Sequence, residues 1–183
     1  MTCKRLAWIL TAAALLFASL SASAQPRALE RPLTLVAAPA MEGLYRETVI
    51  LAVPSGDEHL GFILNRPTGQ RLDGRTLEPV YFGGPMLADV VFALVPGDTE
   101  GLGVRFCDGL SLVADAAGIR ELLQRRPNHV RFFFGFVGWK PGELAREIDA
   151  GYWTVREADA PLVFDDPERL WARQLERARR AAR

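Results

Sequence analysis

The feature that most constrains the fold of this sequence is a nearly continuous apolar run from Arg131 to Val137, which contains four phenylalanines. Successive side chains of a β-strand point to opposite faces of its sheet. A strand that is apolar at almost every position is therefore expected to be covered on both faces. The run predicts such a strand.

Shorter apolar segments, bounded by glycine and proline, predict the other strands. These segments are Leu33 to Ala38, Thr48 to Val53, Leu60 to Leu64, Pro79 to Phe82, Val90 to Val95, Val104 to Cys107, Tyr152 to Val155 and Leu162 to Phe164. The segments at 79–82 and 104–107 carry the weakest pattern.

Three segments predict helices. From Ala116 to Arg126, apolar residues recur at helical spacing. From Pro141 to about Ala150, a proline stands in the first turn and a glycine follows the last. A third helix is expected to begin with Asp166 as its N-cap and Pro167 at its first position. Strands interspersed with helices predict a mixed α+β fold, in which helices partly cover a mixed or antiparallel sheet.

The N-terminal segment, residues 1–24, has the three parts of an export signal. Two basic residues precede an uncharged apolar run from Leu6 to Leu20, and the small residues Ala22, Ser23 and Ala24 follow. The alternative is a membrane anchor, but the run is shorter than the ~20 residues that span a bilayer. We expect cleavage near Ala24 and a periplasmic or secreted protein without a membrane-spanning segment.

The remaining chain, residues 25–183, has the length of one domain. The whole chain carries 22 basic and 22 acidic residues, and removal of Lys4 and Arg5 with the signal leaves 20 − 22 = −2. A net acidic, exported chain is a poor binder of nucleic acid. Its arginine-rich helical C-terminal tail, at about 172–183, is expected to be a solvated helix face, with nucleic-acid binding as the alternative.

Common catalytic and cofactor motifs are absent from the sequence, including the GxSxG elbow, the phosphate-binding loop, HExxH and CxxC. A structural zinc site needs four ligands, but after the signal only Cys107, His59 and His129 remain. A hydrolase would need Ser55, Ser111 or Cys107 beside a histidine. We therefore expect no metal, no cofactor and no catalytic residue, and Cys107 is expected to be buried.

Three glycine-rich segments are candidates for function: 61–67, 81–86 and 135–144. The first leads into a turn, the second turns tightly in a way that is expected to expose backbone amides to an anion, and the third approaches a helix start. The alternative interpretation of each is a turn that lets strand and helix pack closely. The candidate surface consists of their turn residues Asn65, Arg66, Gly83, Gly84, Pro85, Gly138, Trp139, Gly142 and Glu143.

These three segments, in this order, resemble the AlgH/YqgE family of bacterial proteins, whose motifs are G-[LVI]-x-[LVI]-N-[RK]-P, G-G-P and G-[YF]-x-G-W-x-x-G-Q-L. The likeness extends from about Leu33 to Trp171. It implies one α/β domain in which a strongly bent mixed sheet forms a partial barrel flanked by helices. It implies no established reaction, cofactor or catalytic residue, and the family is often labelled a transcriptional regulator.

The chain departs from the family pattern at several places. Pro54 and Ser55 stand where relatives usually have an acidic residue and histidine, and Glu143 replaces the glutamine of Gly-Gln-Leu. The export signal is a further departure, since most relatives look cytoplasmic.

The leading hypothesis is an exported binding or regulatory protein without catalysis, whose partner is another protein or a small anionic ligand. The alternative is an envelope hydrolase-type enzyme that gathers Asn65, Glu143 and the amides of Gly83 and Gly84 around a substrate carbonyl or phosphate. A transcriptional regulator, as the family label suggests, is the third possibility.

Overall fold

The computed structural model describes residues 29–72, 79–99, 101–125 and 129–181, so the predicted signal at 1–24 lies outside the described residues. Nine strands occur in this part of the chain: β1 (Leu33–Ala37), β2 (Val49–Ser55), β3 (Glu58–Ile63), β4 (Tyr81–Phe82), β5 (Met86–Pro96), β6 (Val104–Cys107), β7 (Leu110–Val113), β8 (Arg131–Trp139) and β9 (Trp153–Glu157). The α-helices there are α1 (Ala116–Arg125), α2 (Glu143–Asp149) and α3 (Leu170–Ala181). Two 3-10 helices, Gly43–Tyr45 and Ala160–Phe164, lie between them.

The strands form one mixed sheet in the order β6-β7-β5-β8-β3-β2-β1-β9, and β4 pairs with β8 beside this path. All pairs along the path are antiparallel, whereas β4 is parallel to β8. The apolar run at 131–137 forms β8, which pairs with β3, β4 and β5. Phe132 and Phe133, whose side chains point to opposite faces, are both buried in apolar clusters, so the predicted burial of this strand on both faces is confirmed. The sheet curls into a half-barrel, so the predicted mixed fold with a partial barrel is confirmed.

Both faces of the sheet are covered. Along β2, Val49, Leu51 and Val53 belong to one apolar cluster, while Ile50 and Ala52 belong to another on the opposite face. Helix α3 contributes Leu170 to the first cluster, and α2 contributes Leu144 to the second. Helix α1 covers the β5–β7 end of the sheet through Ile119 and Leu122.

One predicted strand is wrong: the segment from Leu162 to Phe164 belongs to a 3-10 helix. Pro161 fixes its own φ and has no N–H to offer a sheet, which favours a helical turn at this point. The Leu162 N–H instead donates to the carbonyl of Asp159 at 3.0 Å. Strand β7 was not predicted, because four residues that follow a two-residue turn carry too little pattern.

The predicted helix boundaries also change. Helix α3 begins at Leu170 rather than at Pro167, because the carboxylate of Asp166 accepts from the Glu168 N–H at 3.1 Å and closes a separate turn. Helix α2 begins at Glu143, two residues after the predicted Pro141.

Helix α3 is expected to be part of the folded core because Leu170 is fully buried. Leu170→Ala should lower the free energy of unfolding by about 2–5 kcal/mol, through lost apolar contact and the cavity left behind. Arg179→Ala, at an exposed position on the same helix, should change it by less than about 0.5 kcal/mol. Urea unfolding followed by tryptophan fluorescence measures both, and equal effects would contradict this packing.

Candidate functional site

The three glycine-rich segments meet where β3, β4 and β8 come together. The Ile63 N–H donates to the carbonyl of Gly83 at 2.9 Å, and the Gly83 N–H donates to the carbonyl of Phe134 at 2.8 Å. The Phe82 N–H donates to the carbonyl of Arg66 at 2.7 Å. Main-chain hydrogen bonds therefore bring the segments together.

The glycines at this junction leave no space for a side chain. A Cβ on Gly83 would lie 2.3 Å from the carbonyl oxygen of Gly135, and one on Gly84 would lie 2.2 Å from the carbonyl carbon of Phe136. Gly135 itself has φ +65°, a conformation that favours glycine. The Gly83 N–H already donates a hydrogen bond within the sheet, so it is not exposed to bind an anion. This differs from the expectation from the sequence. We call Gly83, Gly84 and Gly135 the glycine junction.

Asn65 and Arg66 hold the turn that precedes β2. The Asn65 side chain accepts from the Val49 N–H at 3.0 Å and donates to the carbonyl of Glu47 at 2.9 Å. Arg66 donates to the carbonyl of Arg46. Since Glu47 has φ +56°, these contacts stabilise a strained turn. The residues of this turn, together with Asn65 and Arg66, line a small cavity of about 210 Å³.

The third segment closes the start of α2. The carboxylate of Glu143 accepts from the Lys140 N–H at 2.9 Å, and Gly142 has φ +72°. Gly138 and Pro85 are exposed. Asn65, Glu143 and the Gly83 amide are thus each engaged by main-chain contacts of the fold, and their geometry gives the hydrolase alternative no support.

A carboxylate held by two indoles lies beside this segment. One Glu147 oxygen, Oε2, accepts from Trp139 Nε1 at 2.8 Å and from Trp153 Nε1 at 2.7 Å. The Tyr45 ring meets the Trp153 ring edge-on, with 5.9 Å between centroids. Burial, and then the nearby carboxylates of Glu147 and Glu143, raise the pKa of Tyr45. This cluster ties β8, α2 and β9 together.

Glu147 is not among the candidate residues proposed from the sequence. The sequence feature that could have identified Glu147 is its position between two tryptophans, eight residues after Trp139 and six residues before Trp153.

A groove of about 700 Å³ lies where the two ends of the sheet approach each other. Its volume is typical of ligand sites, which range over about 300–1,000 Å³. Both end strands, β6 and β9, line it, together with the approach to β1 and the 3-10 helix after β9. We call it the seam groove; its lining residues are Arg31, Pro32, Leu33, Arg105, Phe106, Cys107, Asp108, Val155, Arg156, Glu157, Ala158 and Ala160.

Arg156 is the most unusual side chain of the seam groove. Its Nη1 atom is buried and has no hydrogen-bond partner in the described part of the chain. Thr34, directly opposite on β1, is 1% exposed and its Oγ1 is likewise unpartnered. Gln174, 1% exposed on α3, has an unpartnered Nε2. All three groups can donate hydrogen bonds.

The lining of the groove also contains an ion pair and a thiol. Arg105 and Asp108 form an exposed ion pair. Cys107 is a free, buried thiol, as expected. Burial raises the pKa of Cys107 to about 11, with a further contribution from the Asp108 carboxylate that Arg105 partly offsets. The thiol therefore stays protonated at neutral pH.

Comparison with known proteins identifies the family. The profile of the DUF179 family, described as AlgH-like, matches residues 34–182. A UPF0301 protein of Chlorobium limicola is 31% identical over 155 residues, which cover 78% of this chain and 83% of that protein. The UPF0301 protein SCO2948 of Streptomyces coelicolor is 35% identical over 164 residues, which cover 79% and 84%. This chain belongs to the AlgH-like family.

Solved structures of two proteins share the AlgH-like fold. The solution structure of AlgH from Pseudomonas aeruginosa matches with a TM-score of 0.69 and 23% identity over 88% of this chain and 93% of that one. Protein DIP2367 of Corynebacterium diphtheriae matches with a TM-score of 0.68 and 23% identity, over 81% and 86%. The resemblance predicted from the glycine-rich segments is confirmed.

Within the described ranges, no helix is long and apolar enough to cross a bilayer. The same residues contain no group of three or more His, Cys, Asp or Glu side chains arranged to hold a metal ion.

The contact between Glu147 and the two indoles is expected to stabilise this AlgH-like fold. Glu147→Leu leaves two partly buried N–H groups without an acceptor and should lower the free energy of unfolding by about 1–3 kcal/mol. Glu147→Gln keeps an acceptor oxygen and should lose less than half as much. Urea denaturation of both variants tests this, and a Leu variant as stable as the wild type would show that the contact contributes nothing.

Proposed function

We propose that this AlgH-like chain is an exported binding or regulatory protein without catalytic activity, and that its ligand carries an acidic group which lies in the seam groove. The observation that carries the proposal is the buried Nη1 of Arg156, which has no hydrogen-bond partner among the described residues although the residue as a whole is half-buried. A buried donor without an acceptor costs about 1–3 kcal/mol. A ligand with a carboxylate or phosphate would offset that cost.

The neighbours of Arg156 favour an anionic group. Thr34 and Arg156 are register partners, so their Cβ atoms are ~4.5–5.5 Å apart on one face of the sheet. A carboxylate or phosphate oxygen accepts several hydrogen bonds and suits donors of this kind.

The predicted signal at residues 1–24 supports export, and the formal charge of −2 after its removal opposes a nucleic-acid partner. Acidic side chains engage part of the basic C-terminal segment. Arg173 contacts Asp165 at 3.0 Å, and Arg180 is paired with Glu176. Such pairing reduces the positive charge that a nucleic acid would meet.

The export part of the proposal predicts a periplasmic or secreted protein whose first residue is near Gln25. Cell fractionation of the native host, followed by blotting and N-terminal sequencing, measures both. A cytosolic protein that retains Met1 contradicts export.

The binding part predicts that a small dicarboxylate occupies the groove. Titration of ¹⁵N-labelled protein with sodium succinate should shift the amide signals of β1 and β9 with saturation. Arg156→Gln should weaken this binding ten-fold or more, because it removes the charge-assisted hydrogen bonds. Arg179→Gln, an exposed change on α3, is the matched control and should bind like the wild type. Equal affinity of all three proteins would refute a role for Arg156.

The absence of catalysis is tested on the same purified protein with nitrophenyl ester, nitrophenyl phosphate and casein substrates. No turnover above the buffer rate is expected. Turnover that disappears in Ser111→Ala or Cys107→Ala would replace the binding function with an enzymatic one.

A further inference from the structure

We infer, on the basis of the function proposed above, that the ligand of the seam groove is an extended peptide with a carboxylate side chain, which adds as a strand between β6 and β9. These two strands are the ends of the sheet path, and neither has a partner on its outer side in the described part of the chain. Unpaired strand edges are templates for pairing with another extended chain.

The outer edge of β9 presents alternate backbone groups to the groove. The Ala38 N–H donates to the carbonyl of Tyr152 at 2.8 Å, which makes that pair a hydrogen-bonded one in the antiparallel register of β1 and β9. Hydrogen-bonded pairs alternate along such a ladder. The backbone of Arg156 therefore faces β1, whereas the N–H and C=O groups of Val155 and Glu157 face outward. Both of these residues line the groove.

The same argument applies to β6. The Gly97 N–H donates to the carbonyl of Gly109 at 2.9 Å, which makes this pair a hydrogen-bonded one in the register of β5 and β7. Because such pairs alternate, the backbone groups of Ser111 face β5 and those of Leu112 face β6. Val104 is opposite Leu112 and hence faces β7, which leaves the backbone groups of Arg105 pointing outward. Arg105 also lines the groove.

The side chains at these edges suit a strand rather than a small ion alone. Val104 on β6 is 66% exposed, an apolar side chain on an unpaired edge. A small anion would satisfy Arg156 but would leave the outward backbone groups of both edges unpaired. An added strand pairs with both edges and closes the half-barrel, which removes its exposed edges.

The charges of the groove select an acidic peptide. Its lining contains three arginines and two carboxylates, and Asp108 is already paired with Arg105. The unpaired charges of the lining are therefore the two positive charges of Arg31 and Arg156 and the one negative charge of Glu157. Because side chains of an added strand alternate between the two faces, one aspartate or glutamate is enough to reach Arg156 on the inner face. The lengths of β6 and β9, four and five residues, suit a peptide of similar length.

The experiment uses the purified protein and the peptide acetyl-Ser-Val-Thr-Asp-Thr-Val-Ser-amide as the probe. Binding is measured by NMR titration and compared with that of succinate. Amide hydrogen exchange at Arg105, Val155 and Glu157 reports strand pairing directly, with Thr154, whose amide already faces β1, as the internal control. Two N-methylated peptides serve as further probes: one is methylated at the even-numbered backbone nitrogens and the other at the odd-numbered ones. Each keeps the charge of the peptide but loses the N–H donors that would pair with one of the two strand edges.

The expected result is binding at least ten-fold tighter than that of succinate. Exchange at Arg105, Val155 and Glu157 should slow ten-fold or more, while exchange at Thr154 should not change. Asparagine in place of the peptide's aspartate, Arg156→Gln, and N-methylation in either frame should each weaken binding ten-fold or more. Thermal unfolding of Arg156→Gln verifies that the variant is folded, and the peptide comparisons on the wild type do not depend on it.

Four results would overturn strand addition. Arg156-dependent binding of succinate with no tighter binding of the peptide would leave the proposed function standing and reject the strand. Peptide binding that is insensitive to N-methylation, or without slowed exchange at Val155 and Glu157, would reject the strand in the same way. Failure of both succinate and the peptide to bind would reject the proposed function together with this inference.

Discussion

The close approach of two backbone segments at the glycine junction is the constraint on which the rest of the structure depends. Strand β8 changes neighbours here: on one of its edges β4 lies beside Phe133 and Phe134, and β3 takes over from Val137 to Trp139. The register of β5 on the other edge shifts between Met86 and Val91. Irregularities of this kind bend a strand and increase its twist. The bend at the junction accounts for the curl of the sheet, which brings its two end strands to one groove.

This arrangement separates the residues that define the family from the groups that remain available to a ligand. The glycine-rich segments are occupied by the fold itself, since the Gly83 amide and the side chains of Asn65 and Glu143 all bond to backbone. The available groups lie instead at the ends of the sheet where, among the described residues, β6 and β9 have no strand on their outer edges and Arg156 has a buried nitrogen without a hydrogen-bond partner. The seam of a half-barrel carries two strand edges without a strand partner, and the proposed ligand would gain main-chain hydrogen bonds there as well as a charge contact.

The sequence was enough to predict those features of the fold that depend on short-range patterns of residues. The apolar run of β8 indicated a strand buried on both faces, and the glycine-rich segments identified the family. The seam groove could not be predicted, because its lining combines residues near 31, 105 and 156 that only the curl of the sheet brings together. For the same reason, nothing in the sequence distinguishes Arg156 from an arginine with an acidic neighbour. Glu147 lies within the second predicted helix, but its contact with two indoles could not be predicted because it depends on how β8, α2 and β9 pack.

The most direct test of this account compares two alanine substitutions of glycines in the family motifs. At Gly83, a Cβ would lie 2.3 Å from a backbone oxygen of β8, whereas at Gly138 its nearest contacts are at 3.6 Å and belong to side chains. If the junction determines the fold, Gly83→Ala should lower the free energy of unfolding by about 3 kcal/mol or more, or yield no soluble protein, because backbone must move to admit the new carbon. Gly138→Ala should stay within about 1 kcal/mol of the wild type. Equal stability of the two variants in urea denaturation would contradict the central place given to the junction.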